Sequence, residues 1–195
     1  PTVINGPSWA DAFGTAVAGF DANADGYSDV FVGGAGVYNR NPAVFFYLGG
    51  PRGPSSVVTV RRGNTDTRFG ERIAHAGDLD GDGYGDLVVG QFYGDRAWVY
   101  RGTATGIEDY PTTLRTSSYY MGFDVDGGSD LNADGYSDVV VGADGYAHVY
   151  LGGPSGVSDP PLTTLSGDNG YGRTVSAPGD LDGDGYGDLV VGARF

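Results

Sequence analysis

The sequence predicts an all-β fold, a β-propeller of four-stranded antiparallel blades, on three observations. A nine-residue acidic segment recurs four times, its starts separated by 57, 52 and 50 residues. Each copy leads into a short β-branched run bounded by glycine, and no apolar pattern of helical period accompanies them. Glycine supplies 37 of the 195 residues, so turn signals are dense. A fixed repeat of this length marks a solenoid, propeller or array, and four strands per repeat select the propeller. A β-sandwich would also show short strands, but not the same acidic turn once in every four.

The chain reads as a single propeller domain or propeller fragment over 1–195, with repeats at approximately 13–62, 69–116, 121–167 and 171–195. Residues 1–6 are expected to give an outer strand, around Thr2 to Ile4, of a preceding or closing blade. Every repeat opens on a bulky apolar residue and glycine: Phe13-Gly14, Phe69-Gly70, Met121-Gly122 and Tyr171-Gly172. A first strand follows, centred on Val17, Ile73, Val125 or Val175. Its neighbours are mostly small (Ala16, Ala18, Ala74, Ala76, Ser176, Ala177), as the crowded centre of a ring requires, with Arg72, Asp124 and Asp126 as polar exceptions. After the acidic turn come Asp29–Gly33, Asp86–Gly90, Asp138–Gly142 and Asp188–Gly192, expected as strands buried on both faces. Third strands are expected over Val44–Leu48, Ala97–Tyr100 and Ala147–Leu151, and weaker fourth strands over Val57–Val60, Thr112–Leu114 and Leu162–Leu165. The first repeat has Ala22 where the others have Leu, and its opening pair stands one residue nearer the acidic turn, so this copy is expected to be slightly distorted.

Composition narrows the function. The net charge is −14, all 11 bases are Arg, and no basic cluster suggests nucleic acid. With no cysteine there is no disulfide framework, and 39% apolar content is too high for a disordered acidic tail. No apolar run approaches the ~20 residues that span a bilayer, so no membrane insertion is expected; Pro1 opens without a signal core, and any secretion signal is expected to have been removed.

The acidic turns read as calcium loops. Positions 1, 3, 5 and 9 are Asp21, Asn23, Asp25 and Asp29; Asp78, Asp80, Asp82 and Asp86; Asp130, Asn132, Asp134 and Asp138; and Asp180, Asp182, Asp184 and Asp188. Ca²⁺ takes six to eight oxygens, and a tightly curled loop turns alternate carboxylates inward, with Gly at position 6 for the sharp turn. The backbone carbonyl of position 7 (Tyr27, Tyr84, Tyr136, Tyr186) is the further ligand expected. A helix-flanked loop would need Glu at position 12, where this chain has Val32, Val89, Val141 and Val191. Asx-rich turns are common by themselves, but four copies crowd 14 of the 25 acids into four loops, a repulsion that a cation offsets. Four Ca²⁺ per chain would bring the charge from −14 to −6. Mg²⁺ dehydrates too reluctantly for an all-protein cage. The second and fourth loops, with four carboxylates each, are expected to bind more tightly than the first and third, and the ion is expected to be structural.

The opening pairs Phe13-Gly14 and Phe69-Gly70, the four acidic loops, and Gly33-Gly34-Ala35 or Gly142-Ala143 after the second strand together resemble the FG-GAP repeat. That repeat is the unit of the integrin α-chain N-terminal propeller and of integrin-like bacterial and fungal propellers. The resemblance covers essentially the whole chain. It implies calcium and extracellular recognition, by adhesion to a protein or by lectin-like binding of a glycan. Family propellers usually have seven blades against four motifs here, so self-association or the remainder of a longer parent chain is expected to complete the ring. Non-repeated loop residues are the candidate ligand contacts: Tyr38, Asn39 and Arg40; Phe92 and Tyr93; Tyr119 and Tyr120. No catalytic residue is expected, since His75 and His148 have no Ser or Asp partner in a recurring arrangement. The alternative is a polysaccharide-acting enzyme or its accessory domain. Loops of this kind without sensor architecture need sustained high calcium, so the protein is expected to be secreted or at the cell surface.

Overall fold

A computed structural model describes residues 2–10, 12–35, 41–55, 58–64, 67–168 and 170–193. Blade 1 is β1 (Phe13–Phe20), β2 (Asp29–Gly34), β3 (Ala43–Tyr47) and β4 (Val58–Arg62), hydrogen-bonded in that order. Blade 2 is β5 (Ile73–Gly77), β6 (Asp86–Gln91), β7 (Arg96–Tyr100) and β10 (Thr112–Arg115), with a hairpin of β8 (Gly102–Thr103) and β9 (Gly106–Ile107) before its last strand. Blade 3 is β11 (Asp124–Ser129), β12 (Asp138–Ala143), β13 (Tyr146–Tyr150) and β14 (Thr163–Ser166). A two-stranded sheet, β15 (Tyr171–Gly179) and β16 (Asp188–Ala193), follows. All these pairings are antiparallel, and the described residues contain no α-helix, so the all-β, blade-built fold class is borne out. No helix among them is long and apolar enough to cross a membrane.

The core lies in layers between successive blades. Strand alternation sends Phe31, Val44 and Phe46 of blade 1 against Ile73, Leu87 and Val89 of blade 2. Val88, Val99 and Leu114 of blade 2 meet Met121, Val125, Val139 and Val141 of blade 3, while Val140 and Val149 turn the other way, onto Val175 and Ala177. The innermost strands β1, β5, β11 and β15 lie side by side in sequence order. Side chains join them: Asp124 Oδ2 accepts from Val175 N at 3.0 Å, and Asp126 Oδ2 accepts from Ser176 Oγ and Ala177 N at 3.0 and 2.9 Å.

The opening glycines follow from this stacking. Gly172 has φ +79, and a Cβ added at Gly142 would be driven into its carbonyl oxygen, so neither position admits a side chain without movement. The residue before that glycine is an apolar plug, Phe69 in blade 2 and the fully buried Met121 in blade 3.

Three expectations are corrected. The first repeat is not distorted at its loop. Its missing residue is a bulge: β5, β11 and β15 each carry one extra residue before the acidic turn, at or beside Gly77, Gly128 and Gly179, whereas β1 runs in register through Gly19 and Phe20 to Val30 and Asp29. Thr2 to Ile4 form no strand; Ile4, Ala10 and Phe13 instead pack on Val32, Phe45 and Tyr47, the face of blade 1 turned away from blade 2. Strand β16 is not buried on both faces, for Val190 is 52% exposed; among the described residues no third strand pairs with it and no further blade packs on it.

Candidate functional site

The acidic loops lie at the end of the blades where first strands pass into second strands. The position-1 carboxylate curls each loop: Asp78 accepts from the backbone N–H groups of Gly81, Asp82 and Gly83 at 2.7, 3.1 and 2.9 Å, and Asp180 does the same with Gly183, Asp184 and Gly185. Asp21 and Asp130 hold Asp25-Gly26 and Asp134-Gly135 in the same way. The position-5 carboxylates of Asp25, Asp82, Asp134 and Asp184 accept from the N–H of Tyr27, Tyr84, Tyr136 and Tyr186. At position 3, Asn23 and Asn132 donate Nδ2 to Asp25 and Asp134.

Position 9 is a buried knot. Asp29, Asp86 and Asp138 are fully buried; one oxygen accepts from the backbone of Ala22, Leu79 or Leu131, and the other from Gly49, Gly102 or Gly152 in the turn after the third strand. Burial, helped by repulsion from Asp80 and Asp82 and opposed by the Gly102 and Leu79 hydrogen bonds, pushes the Asp86 carboxyl up to about 7. Burial also raises Asp29 and Asp138. Asp188 is tied to Leu181 N at 2.7 Å but is only partly buried.

This donor set fits a hard cation. Asp78, Asp80 and Asp86, and likewise Asp180, Asp182 and Asp188, each offer a carboxylate oxygen within 4.8 Å of the others. A buried acid whose charged form is disfavoured is relieved by such an ion. Of the position-7 side chains, Tyr136 lies over Gly81 of the blade 2 loop, while Tyr27 and Tyr186 are exposed.

The opposite end carries the non-repeated aromatics. Phe92 and Tyr93, in the turn after β6, are gathered with Tyr120 and Phe123 from the connection into β11: centroid distances are 4.4 Å for Phe92–Tyr93, 5.9 Å for Tyr93–Tyr120 and 5.1 Å for Phe92–Phe123. Arg68 lies over Phe92 and Tyr93, Arg173 over Phe123, and Asp95 Oδ1 accepts from Tyr120 N at 2.6 Å. Tyr119, 78% exposed, rims an adjoining cleft of about 430 Å³. Tyr38, Asn39 and Arg40 lie outside the described residues.

Sequence reasoning missed what that cleft contains. His148 Nε2 lies 3.0 Å from Ser118 Oγ and 3.3 Å from Thr116 Oγ1, and Nδ1 lies 2.9 Å from Thr164 Oγ1. Burial lowers the imidazole pKa, so the ring is neutral among hydroxyls. His75, by contrast, stacks on Phe20 with centroids 4.2 Å apart.

Residues 69–105 match the FG-GAP repeat model, and residues 130–191 the FG-GAP-like repeat model. The chain belongs to the FG-GAP repeat family. The two FG-GAP matches take in the second, third and fourth acidic loops. Integrin alpha-6 of Homo sapiens is 34% identical over 149 residues, 72% of this chain and 13% of that protein. Integrin alpha-V of Gallus gallus is 31% identical over 162 residues, 73% of this chain and 16% of that protein, and integrin alpha-IIb of Homo sapiens 34% over 164, with the same shares. The chain therefore spans 13–16% of the length of these curated relatives.

Proposed function

We propose that this FG-GAP chain is a calcium-stabilised, non-catalytic recognition module acting outside the cell, in a secreted or cell-surface protein. Its likeness to integrin α chains supports an adhesion-type role, and its repeat pattern supports a longer parent chain or a second copy as the remainder of the ring. Each of the four loops would hold one Ca²⁺ through positions 1, 3, 5 and 9 and the position-7 carbonyl; the ion supplies charge neutralisation that fixes the turn between first and second strands.

The observation that carries the reading is the aromatic cluster at the end away from the loops, in which buried Phe92 and partly buried Phe123 carry the exposed rings of Tyr93 and Tyr120. Aromatic rings over arginines are rigid anchors for sugar faces or protein side chains, and they are built from residues that the repeat does not demand. The ligand class is a glycan or an extracellular protein. A screen of glycans and extracellular proteins, run in calcium and in chelator, tests it: Tyr93→Ser and Tyr120→Ser should abolish the interaction without lowering the melting temperature, and binding indifferent to both would end the reading.

One observation favours the enzyme alternative. Ser118 and His148 have the reach of a nucleophile and its base, although Thr164 stands where a carboxylate would orient the ring. Polysaccharide or ester turnover lost in Ser118→Ala would establish it.

A further inference from the structure

We propose that Arg101 is a built-in competitor for the cation of the second acidic loop, making that loop the weakest of the four sites instead of one of the two tightest. The inference rests on the calcium reading above. Arg101 Nη1 donates to Asp80 Oδ2 at 2.9 Å, and Asp80 is the position-3 residue of that loop. Among the described residues no cation pairs with position 3 of the other loops: Asn23 and Asn132 hydrogen-bond within their loops, and Asp182 forms no ion pair.

The repeat shows that the arginine is a substitution in an otherwise regular place. Gly49, Gly102 and Gly152 play one role, donating their N–H to the buried position-9 carboxylate, and the residues before them are Leu48, Arg101 and Leu151. Of these three blades, only blade 2 places a guanidinium beside its loop among the described residues. It is also held there. Arg101 Nε lies 3.5 Å from Glu108 Oε2, and its backbone N–H donates to Glu108 Oε1 at 3.2 Å. Glu108 is fixed in turn by Arg61 of β4, which donates to the carbonyls of Ile107 and Glu108 and pairs with Asp109 at 2.7 Å.

A divalent ion entering this loop must displace Arg101 from Asp80 or accept a positive charge a few ångströms away, and either course weakens binding. Glu108 gives the displaced guanidinium a second carboxylate, so binding is weakened and not abolished. In the metal-free chain the same contact relieves repulsion among Asp78, Asp80, Asp82 and Asp86, so blade 2 depends least on calcium.

Calorimetric calcium titration of the chelator-stripped chain tests this. In the native chain, Asp82→Asn should delete the weakest binding step. Arg101→Leu, which installs the residue of blades 1 and 3, should strengthen that step by about tenfold or more, and Asp82→Asn on that background should delete one of the tightest. Glu108→Gln should weaken the native step further, and Arg101→Gln serves if the leucine variant does not fold. A second-loop affinity unchanged or weakened by removing the guanidinium overturns the proposal. Absence of calcium uptake in native and variant alike overturns the calcium reading on which it rests.

Discussion

Taking His148 out of water, with neutral hydroxyls as its hydrogen-bond partners and the Tyr146 ring stacked on it, disfavours its charged form and so couples protonation to unfolding. Because the folded pKa lies below the ordinary imidazole value of about 6.5, the unfolded chain binds more protons under that pH. The contribution of His148 to stability should therefore rise with pH up to about 6.5 and be lost as the medium is acidified below it, opposite in sign to that of the buried carboxyls Asp29, Asp86 and Asp138. The difference between the melting curves of the native chain and of His148→Gln across about pH 5 to 8 should show this loss; an equal slope in the two would assign the effect elsewhere. A second residue, Gly142, gives a test of blade stacking. Gly142→Ala drives a methyl into the Gly172 carbonyl and should cost about 3 kcal/mol in urea unfolding, with Gly153→Ala, whose Cβ would meet nothing within 4 Å, as the mild control.

Among the elements, the second strands were the most legible, since β-branched runs closed by glycine at a fixed distance from the acidic turn leave little freedom. The bulges of β5, β11 and β15 appeared in the sequence only as a spacing of nine residues against eight, and their cause needed the register. Burial was not legible at all for one pentapeptide: Asp-Leu-Val-Val-Gly is fully buried in β6 and half-exposed in β16, because the neighbouring strands and blades decide it. The Ser118–His148 contact joins residues thirty apart with no spacing signal, whereas the loop ligands were readable because they are local. The position-9 knot links a loop to a distant turn, so Asp86→Ala should leave the N–H groups of Leu79 and Gly102 unpaired and cost about 2–5 kcal/mol, with one calcium lost per chain. Asp82→Ala and Asp184→Ala, which spare that knot, should lower the melting temperature in calcium only. Chelation that leaves the native melting curve unchanged would make the ion regulatory and not structural.

At the scale of the molecule, the last repeat exposes what the second buries: Val190 of its sheet at 52% and Leu181 of its acidic loop at 66%. An uncovered two-stranded sheet with an open edge recruits another strand. Light scattering in calcium should find a dimer or larger species, and Val190→Arg should return it to a monomer; a native chain that is strictly monomeric would count against completion by a second copy. The layered core bears on how the chain reaches this form. Since each apolar layer joins one blade to the next, nucleation needs only adjacent stretches of sequence, and order can spread from blade to blade as the polypeptide leaves the ribosome. Every growing intermediate then presents one sticky flank, so the hazard during synthesis is capture of that flank by the same blade of a neighbouring nascent chain.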